Sequence, residues 1–366
     1  MTDNVFLFII WNNAYHKRDA IISDLKERFD ILKKVEINWT PDLFADNLSR
    51  FYGKKLPKNS FKEKACGIGP FTLLIIRDND PVYEDRLTTR GDMERVNINT
   101  FDKKTLYRSW TVLPTGNNCI HGTNTPEETD HDICLLLGLG TEDVLRSLDE
   151  IPEVYNRDLI GAENWESPEK LFYVMDHCGN YVFLRNFEGM PDALYREGHD
   201  DIDLLVEDRD NMCRIMNVKP VFRYAYRSQY VCEAGGMRMQ FDLRFAGDGY
   251  YDEKWQKKIL EGRIFKDGVY IPDEEEYRYM LLYHALIHKT AVADDYVVRL
   301  DEMFGKDKWS RDVLMGFLRA RGYAVTEPVD LSVFYNTENA MQKESTGRWF
   351  KRKCRNVRIR LFNDRG

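Results

Sequence analysis

YREGHDDIDLLVED, residues 195–208, decides the fold of the second half of this 366-residue chain. Asp201 and Asp203 stand one residue apart and lead directly into the apolar run of residues 204–206. Side chains alternate along a strand, so both carboxylates lie on the same side at the start of a buried strand, and Asp200 faces away. Two carboxylates this close need a cation, and a divalent ion with oxygen ligands meets that need.

A third carboxylate follows at Asp242, within the alternating sequence MQFDLRF of residues 239–245. Alternation places Gln240, Asp242 and Arg244 on one face of the predicted strand and apolar side chains on the other. The alternative is that the acids of residues 200–208 are solvated at the edge of a sheet. The apolar continuation and the second acidic strand favour a metal site.

The paired pattern, Asp-x-Asp on one strand and Asp242 on a later one, resembles the nucleotidyltransferase superfamily of the polymerase-β type over residues 170–300. Within it the chain is most similar to bacterial proteins associated with surface-polysaccharide loci. The resemblance implies that Asp201, Asp203 and Asp242 bind two Mg²⁺ ions and that Asp242 accepts the proton of the attacking hydroxyl. The usual Gly-Ser pair is missing, and Arg185 at a predicted strand end is the expected phosphate ligand instead.

That resemblance implies transfer of a nucleotidyl or phospho-alcohol group from a nucleotide or CDP-alcohol donor to a hydroxyl acceptor, such as a bacterial surface glycan. Two alternatives remain open. One is a toxin-like nucleotidyltransferase acting on RNA or protein, and the other is a non-catalytic nucleotide-binding or assembly protein. The formal net charge of −8 argues against a broad nucleic-acid-binding surface.

The first half of the chain has the pattern of an α/β domain. Apolar runs at residues 5–10 and 71–76 predict buried strands, and residues 18–29 and 41–53 have helical spacing. The loop NNCIHGTNT, residues 117–125, precedes a helix that is predicted to begin at Pro126, with Thr125 as its N-cap.

This loop, with Asn118, His121 and Gly122, resembles the active-site segment of nucleoside diphosphate kinases, and the order of elements over residues 4–140 is similar too. The resemblance implies that His121 is catalytic and that Asn118, Arg108 and Arg95 contact the nucleotide. The lysine of that family at the first strand's end has no counterpart here. The alternative for His121 is a nucleotide-binding or structural remnant, bonded to the following helix.

The predicted fold class is α+β, with a nucleoside-diphosphate-kinase-like ferredoxin-type sandwich at residues 1–145 and a nucleotidyltransferase-fold mixed sheet at residues 165–270. Helical patterns at residues 272–289 and 309–321 predict a helical subdomain over residues 271–335. In the first of these helices His284 and His288 are four apart, which is compatible with a zinc site or with a place beside the active cleft.

Residues 336–366 form a basic tail in which Lys and Arg alternate with apolar side chains. The tail is expected either to contact an anionic membrane surface peripherally or to be a solvated terminal element. The seven cysteines include no C-x-x-C pair, and no apolar run is long enough to span a bilayer. These features predict a cytoplasmic protein, at the inner membrane face if the tail binds lipid.

Overall fold

The computed structural model describes residues 2–88, 91–112, 118–190, 201–222 and 227–362, with the backbone alone for residues 355–362. The chain divides into two compact units, Met1–Glu163 and Asn164–Gly366. Helices and several sheets occur in both units, which confirms the α+β class. In the described part of the chain, no helix combines the length and the apolar composition needed to cross a membrane.

The first unit is built on a sheet with the strand order β6-β1-β3-β2-β7. Strand β1 is antiparallel to β3 and β6, β3 is antiparallel to β2, and β7 is parallel to β2. Strands β4 and β5 form a separate antiparallel ribbon. The strands of this unit are β1 (Val5–Ile10), β2 (Asp30–Ile37), β3 (Phe71–Arg77), β4 (Tyr83–Leu87), β5 (Met93–Asn97), β6 (Ile120–Gly122) and β7 (Val154–Tyr155).

The central strands β1 and β3 are buried along almost their whole length, because both faces of the sheet are covered. This explains why their sequences are continuous apolar runs. The predicted helix after the His121 loop does begin at Pro126, and the hydroxyl of Thr125 accepts a hydrogen bond from the Glu128 amide. The helices of the unit are α1 (Arg18–Lys26), α2 (Phe44–Phe51), α3 (Phe61–Cys66), α4 (Ile98–Trp110), α5 (Pro126–Leu137) and α6 (Thr141–Arg146).

The second unit contains a mixed sheet with the strand order β10-β11-β12-β9-β8. The acidic strand β9 is parallel to β12 and antiparallel to β8. Strands β13 and β14 form a small hairpin. The strands are β8 (Tyr181–Phe183), β9 (Ile202–Val206), β10 (Lys219–Pro220), β11 (Gln229–Ala234), β12 (Met237–Phe245), β13 (Ile264–Lys266) and β14 (Val269–Ile271).

One hydrophobic cluster joins the sheet of the second unit to its helices. Val182 of β8 and Leu205 of β9 pack with Trp255, Leu282 and Phe317. The predicted helical subdomain therefore shares its core with the sheet, and the predicted basic tail contains two helices. The helices of this unit are α7 (Pro168–Cys178), α8 (Arg209–Ile215), α9 (Glu253–Glu261), α10 (Glu274–Ile287), α11 (Asp294–Phe304), α12 (Arg311–Arg321), α13 (Thr337–Ala340) and α14 (Thr346–Phe362).

We expect the Leu205→Ala substitution to lower the free energy of unfolding by about 3 kcal/mol, because Leu205 is fully buried and the cavity cannot fill completely. Hydrogen exchange should show that protection falls together in β9 and α10, since both pack in one cluster. Val298→Ala, at a position that is 57% exposed, is the matched control. Loss of protection in β9 alone would contradict a shared core.

Candidate functional site

The acidic residues of the second unit meet on one face of the sheet. Asp203 of β9 and Asp242 of β12 are direct partners in the parallel register. Gln240 stands two residues earlier on β12, Asp201 lies directly before the first residue of β9, and an amide hydrogen of Gln240 is donated to Asp201. Because the side-chain period of a strand is two, all four groups lie on the same face. The alternation predicted for residues 239–245 is confirmed.

Arg185 neutralises the first carboxylate. Its Nη2 donates to Asp203 Oδ1 at 2.6 Å, and its Nη1 donates to the Tyr250 hydroxyl at 3.1 Å. The Tyr250 hydroxyl in turn lies 2.7 Å from His284 Nδ1 of α10. The side chains of Arg185 and Asp203 are only 12% and 9% exposed, so little water screens this ion pair.

Arg244 holds the second carboxylate. It donates through Nη2 to Asp242 at 2.6 Å and through Nη1 to Asp330 at 2.8 Å. Asp330 also accepts the backbone amide of Ser228 and, through its other oxygen, the amide and hydroxyl of Ser332. Asp330 is therefore held in place by four hydrogen bonds. Because Arg244 bonds to both carboxylates, Asp330 also positions Asp242.

Asp242 is the perturbed member of the acidic group. Burial raises its pKa to about 6, with a further contribution from the negative charge of Asp203, although Arg244 opposes the shift. Among the described residues, its Oδ1 atom has no hydrogen-bond partner. A carboxylate with a pKa near neutrality and one unpaired oxygen is suited to accept a proton or a cation.

Asp201 is held differently from the other two acids. One of its oxygens accepts an amide hydrogen of Gln229 at 2.8 Å and the other accepts from Gln240. Across the part of the chain that the structure describes, no three His, Cys, Asp or Glu side chains are arranged to hold a metal ion. The three-carboxylate cluster expected from the sequence is thus present as an adjacent pair, Asp203 with Asp242, and a neighbouring Asp201 bonded to amides.

His284 and His288 lie beneath this face, at the end of α10. Burial, assisted by the positive charge of Arg185 and Arg244, lowers the pKa of both imidazoles well below their ordinary value. Arg185 Nη1, which can only donate, lies 3.3 Å from His284 Nδ1, so Nδ1 is an acceptor and the proton of the neutral ring is on Nε2. A zinc ion at this pair would have no third ligand among the described residues. His284 instead lies next to the Arg185–Asp203 ion pair through Tyr250, and its predicted place beside an active cleft stays a prediction.

In the first unit, His121 on β6 is fixed by Asp132 of α5. The distance from His121 Nε2 to Asp132 Oδ2 is 2.7 Å, and Asp132 Oδ1 lies 2.9 Å from His131 Nδ1. Burial alone would raise the pKa of Asp132, but the two histidines hold it below its ordinary value. Asp132 is therefore ionised and His121 Nε2 donates to it, which leaves Nδ1 as the nitrogen with the lone pair when the ring is neutral.

Two cations surround the loop that leads to His121. Arg108, which is predicted to contact the nucleotide, donates from Nε to the Ile120 carbonyl at 3.1 Å. Lys62 of α3 donates to the Asn118 carbonyl at 3.0 Å and lies 4.3 Å from the centre of the Tyr52 ring, which itself packs against His121. Lys62 thus places an ammonium group beside Asn118, and nothing in its local sequence signals this position.

The remaining predicted ligands of the first unit occupy different places. Asn118 belongs to the loop itself, through the carbonyl that Lys62 contacts. Arg95 is exposed on the β4–β5 ribbon, opposite Asp85. In the described residues, the hydrogen bonds around His121 do not include Arg95. The side chains at the end of β1 are apolar and buried, with Trp11 packed between the rings of Trp39 and Phe71.

Comparisons with known proteins do not establish a function for this chain. No family model matches the chain, and no curated protein matches it significantly. Among solved structures, the chain is similar to the nucleoside diphosphate kinase of Aquifex aeolicus, with 17% sequence identity over 36% of this chain and 92% of that chain. The TM-score is 0.25, and a likeness of that size carries no conclusion about activity.

The raised pKa of Asp242 predicts a pH signature. Because folding favours the protonated form, the wild-type chain loses stability as the pH rises from about 4 through about 6. Asp242→Asn cannot lose a proton at this position and so lacks this loss of stability. The free energy of unfolding of Asp242→Asn minus that of the wild type should therefore increase by about 2 to 3 kcal/mol from pH 4 to pH 7. Urea denaturation across this range measures the difference. Asp267→Asn, in the exposed hairpin turn, should follow the wild type, and a pH-independent difference for Asp242→Asn would contradict the shift.

Proposed function

We propose that the second unit is a Mg²⁺-dependent transferase that moves a nucleotidyl or phospho-alcohol group from a nucleotide donor to a hydroxyl acceptor, plausible acceptors being bacterial surface glycans. The proposal is carried by one observation: Asp203 and Asp242 are partners on adjacent parallel strands, and Asp242 has a pKa of about 6 and one oxygen with no hydrogen-bond partner among the described residues. The mixed strand order around them, with β9 parallel to β12, also agrees with the nucleotidyltransferase resemblance.

The carboxylates fit a magnesium ion. Mg²⁺ in phosphoryl-transfer sites is held by one or two carboxylates and by the phosphates of the substrate. Asp203 and Asp242 would hold it, and Asp201 would join them only if its amide partners released an oxygen. When bound, the ion would neutralise charge that develops on the transferred phosphoryl group. The proposal includes a second Mg²⁺ ion, whose protein ligands would come from the same three carboxylates.

The chain's own residues have defined parts in this scheme. Asp242 accepts the proton of the attacking hydroxyl, since a base with a pKa near 6 is largely ionised at neutral pH and still basic enough to take that proton. Arg185 lies beside Asp203 and carries two donor nitrogens, so it is placed to bind a donor phosphate when its bonds rearrange. Asp330 positions Asp242 through Arg244.

The first experiment measures magnesium binding without turnover. At roughly ten times the dissociation constant, Mg²⁺ should raise the free energy of unfolding of the wild type by about 1.4 kcal/mol. Asp203→Asn and Asp242→Asn should lose this increment, whereas Asp267→Asn keeps it. Equal stabilisation of all four chains would remove the metal from the proposal.

Turnover distinguishes the possible donors and acceptors. We expect labelled product from one of the nucleoside triphosphates or CDP-alcohols in the presence of Mg²⁺. The rate of product formation should fall roughly a hundredfold in Asp203→Asn. Glycan, RNA and protein acceptors are assayed in parallel, so that label on RNA or protein would identify the toxin-like alternative. Magnesium binding with no turnover for any donor would favour a non-catalytic nucleotide-binding protein.

The first unit has a second candidate function, the binding of a phosphate-bearing nucleotide beside His121. The observation that favours it is the convergence of Lys62 and Arg108 on the loop residues before His121. The strand order β6-β1-β3-β2, with neighbours antiparallel, is that of a split βαβ (ferredoxin-type) unit and agrees with the kinase resemblance. The proposal includes a role of His121 as the acceptor of a phosphoryl group.

We expect Lys62→Met to weaken the binding of ADP and ATP about tenfold, because one charge-assisted hydrogen bond to phosphate is lost. Isothermal titration calorimetry on the full chain measures the affinity. Lys64→Met is the matched control, since Lys64 is exposed on the same helix α3. Equal affinities of wild type and Lys62→Met would exclude Lys62 from the site.

A further inference from the structure

Helix α14 differs in charge from the rest of the chain. Its sequence TGRWFKRKCRNVRIRLF contains seven Lys or Arg residues and no Asp or Glu. The whole chain nevertheless has a formal net charge of −8. Seventeen residues therefore carry a concentrated positive charge on an acidic protein, which points to an anionic partner for the helix.

Arg348 fixes one side of α14 to the turn of residues 328–333, and Arg352 on the same side pairs with a glutamate just before the helix. Arg348 is 6% exposed and donates to the backbone carbonyls of Pro328, Asp330 and Val333. Arg352 forms a two-bonded ion pair with Glu344, at 2.9 and 2.7 Å. Because residues four apart lie on the same side of a helix, these bonds define the side that faces the protein.

Aromatic and basic side chains of the same helix remain exposed. Trp349 is 48% exposed and Phe350 is 62% exposed. Lys351, Lys353 and Cys354 are also exposed, and the ammonium group of Lys353 lies 5.8 Å from the centre of the Trp349 ring. In the sequence, apolar residues continue from Phe350 at the spacing of one helix face, at positions 354, 357 and 361.

We infer that α14 binds an anionic membrane surface, lying in the plane of the interface with Trp349 and Phe350 inserted at the level of the headgroups. Lysines beside exposed aromatic rings favour a lipid surface over a nucleic acid, because the rings gain by leaving water while the charged ends reach the phosphates. Arg348 and Arg352 keep the opposite side attached to the protein. This inference is independent of the proposed catalytic function.

The experiment is co-sedimentation of the full chain with vesicles of phosphatidylcholine alone or mixed with phosphatidylglycerol. We expect binding to the mixed vesicles and a sharp decrease with added salt. The double variant Lys351→Gln/Lys353→Gln should bind roughly twenty-five-fold more weakly, at about a factor of five for each charge. Phe350→Ser should weaken binding at high salt as well, because its contribution is apolar.

A matched control comes from the β13–β14 hairpin of the same unit. Phe265 is 56% exposed and Lys266 beside it is exposed too. Phe265→Ser/Lys266→Gln removes one aromatic ring and one charge at a distant position in the sequence, and it should bind vesicles as the wild type does. Circular dichroism of each variant verifies that the fold is retained.

A second readout reports the position of the helix directly. Cys354 is exposed, whereas the other cysteines are buried or half-buried, so an environment-sensitive dye reacts there preferentially. The dye emission should shift to shorter wavelength with phosphatidylglycerol vesicles. No preference for anionic vesicles, binding to RNA without binding to vesicles, or self-association through Phe350 in place of vesicle binding would each overturn the inference.

Discussion

The second unit depends on the neutralisation of two carboxylates that neighbouring strands force together. Asp203 and Asp242 face each other in the parallel register, and water has little access to either. Like charges buried side by side on neighbouring strands raise the free-energy cost of folding unless cations compensate them. Arg185 and Arg244 provide the compensation, and each one has further partners that hold it in place. These partners come from three parts of the unit: Tyr250 from the chain before α9, His284 from helix α10, and Asp330 from the turn of residues 328–333.

The sequence predicts the local part of this arrangement and misses the distant part. The alternation of residues 239–245 predicts which side chains share a face, because a strand has a period of two. Asp330 comes from a turn 86 residues after Arg244, and no periodic pattern signals it. Tyr250 and His284 join the network through tertiary packing, which a single sequence does not encode as a motif. The sequence therefore indicates the acids, but not the bonds that set their charge.

The same distinction holds in the first unit. The N-cap at Thr125 and the central strands follow from local rules, and both are confirmed. Lys62 is different, because helix α3 brings its ammonium group to a loop 56 residues later in the chain. Lys62 is half-buried between an exposed Phe61 and a buried Glu63, and this local pattern does not mark it as a residue of the loop's surroundings. The position of this ammonium group therefore follows from tertiary packing and not from a local sequence pattern.

The turn of residues 328–333 serves two elements at once. Its carbonyl oxygens accept the hydrogen bonds of Arg348, and the carboxylate of Asp330 within it holds Arg244. Arg348 and Asp242 consequently share one support, although no bond joins them directly in the described residues. In a genetic screen, replacement of Arg348 would therefore resemble replacement of Arg244, and second-site suppressors would be expected in this turn. Mutational data on α14 are therefore interpretable for its exposed side chains only when Arg348 is left intact.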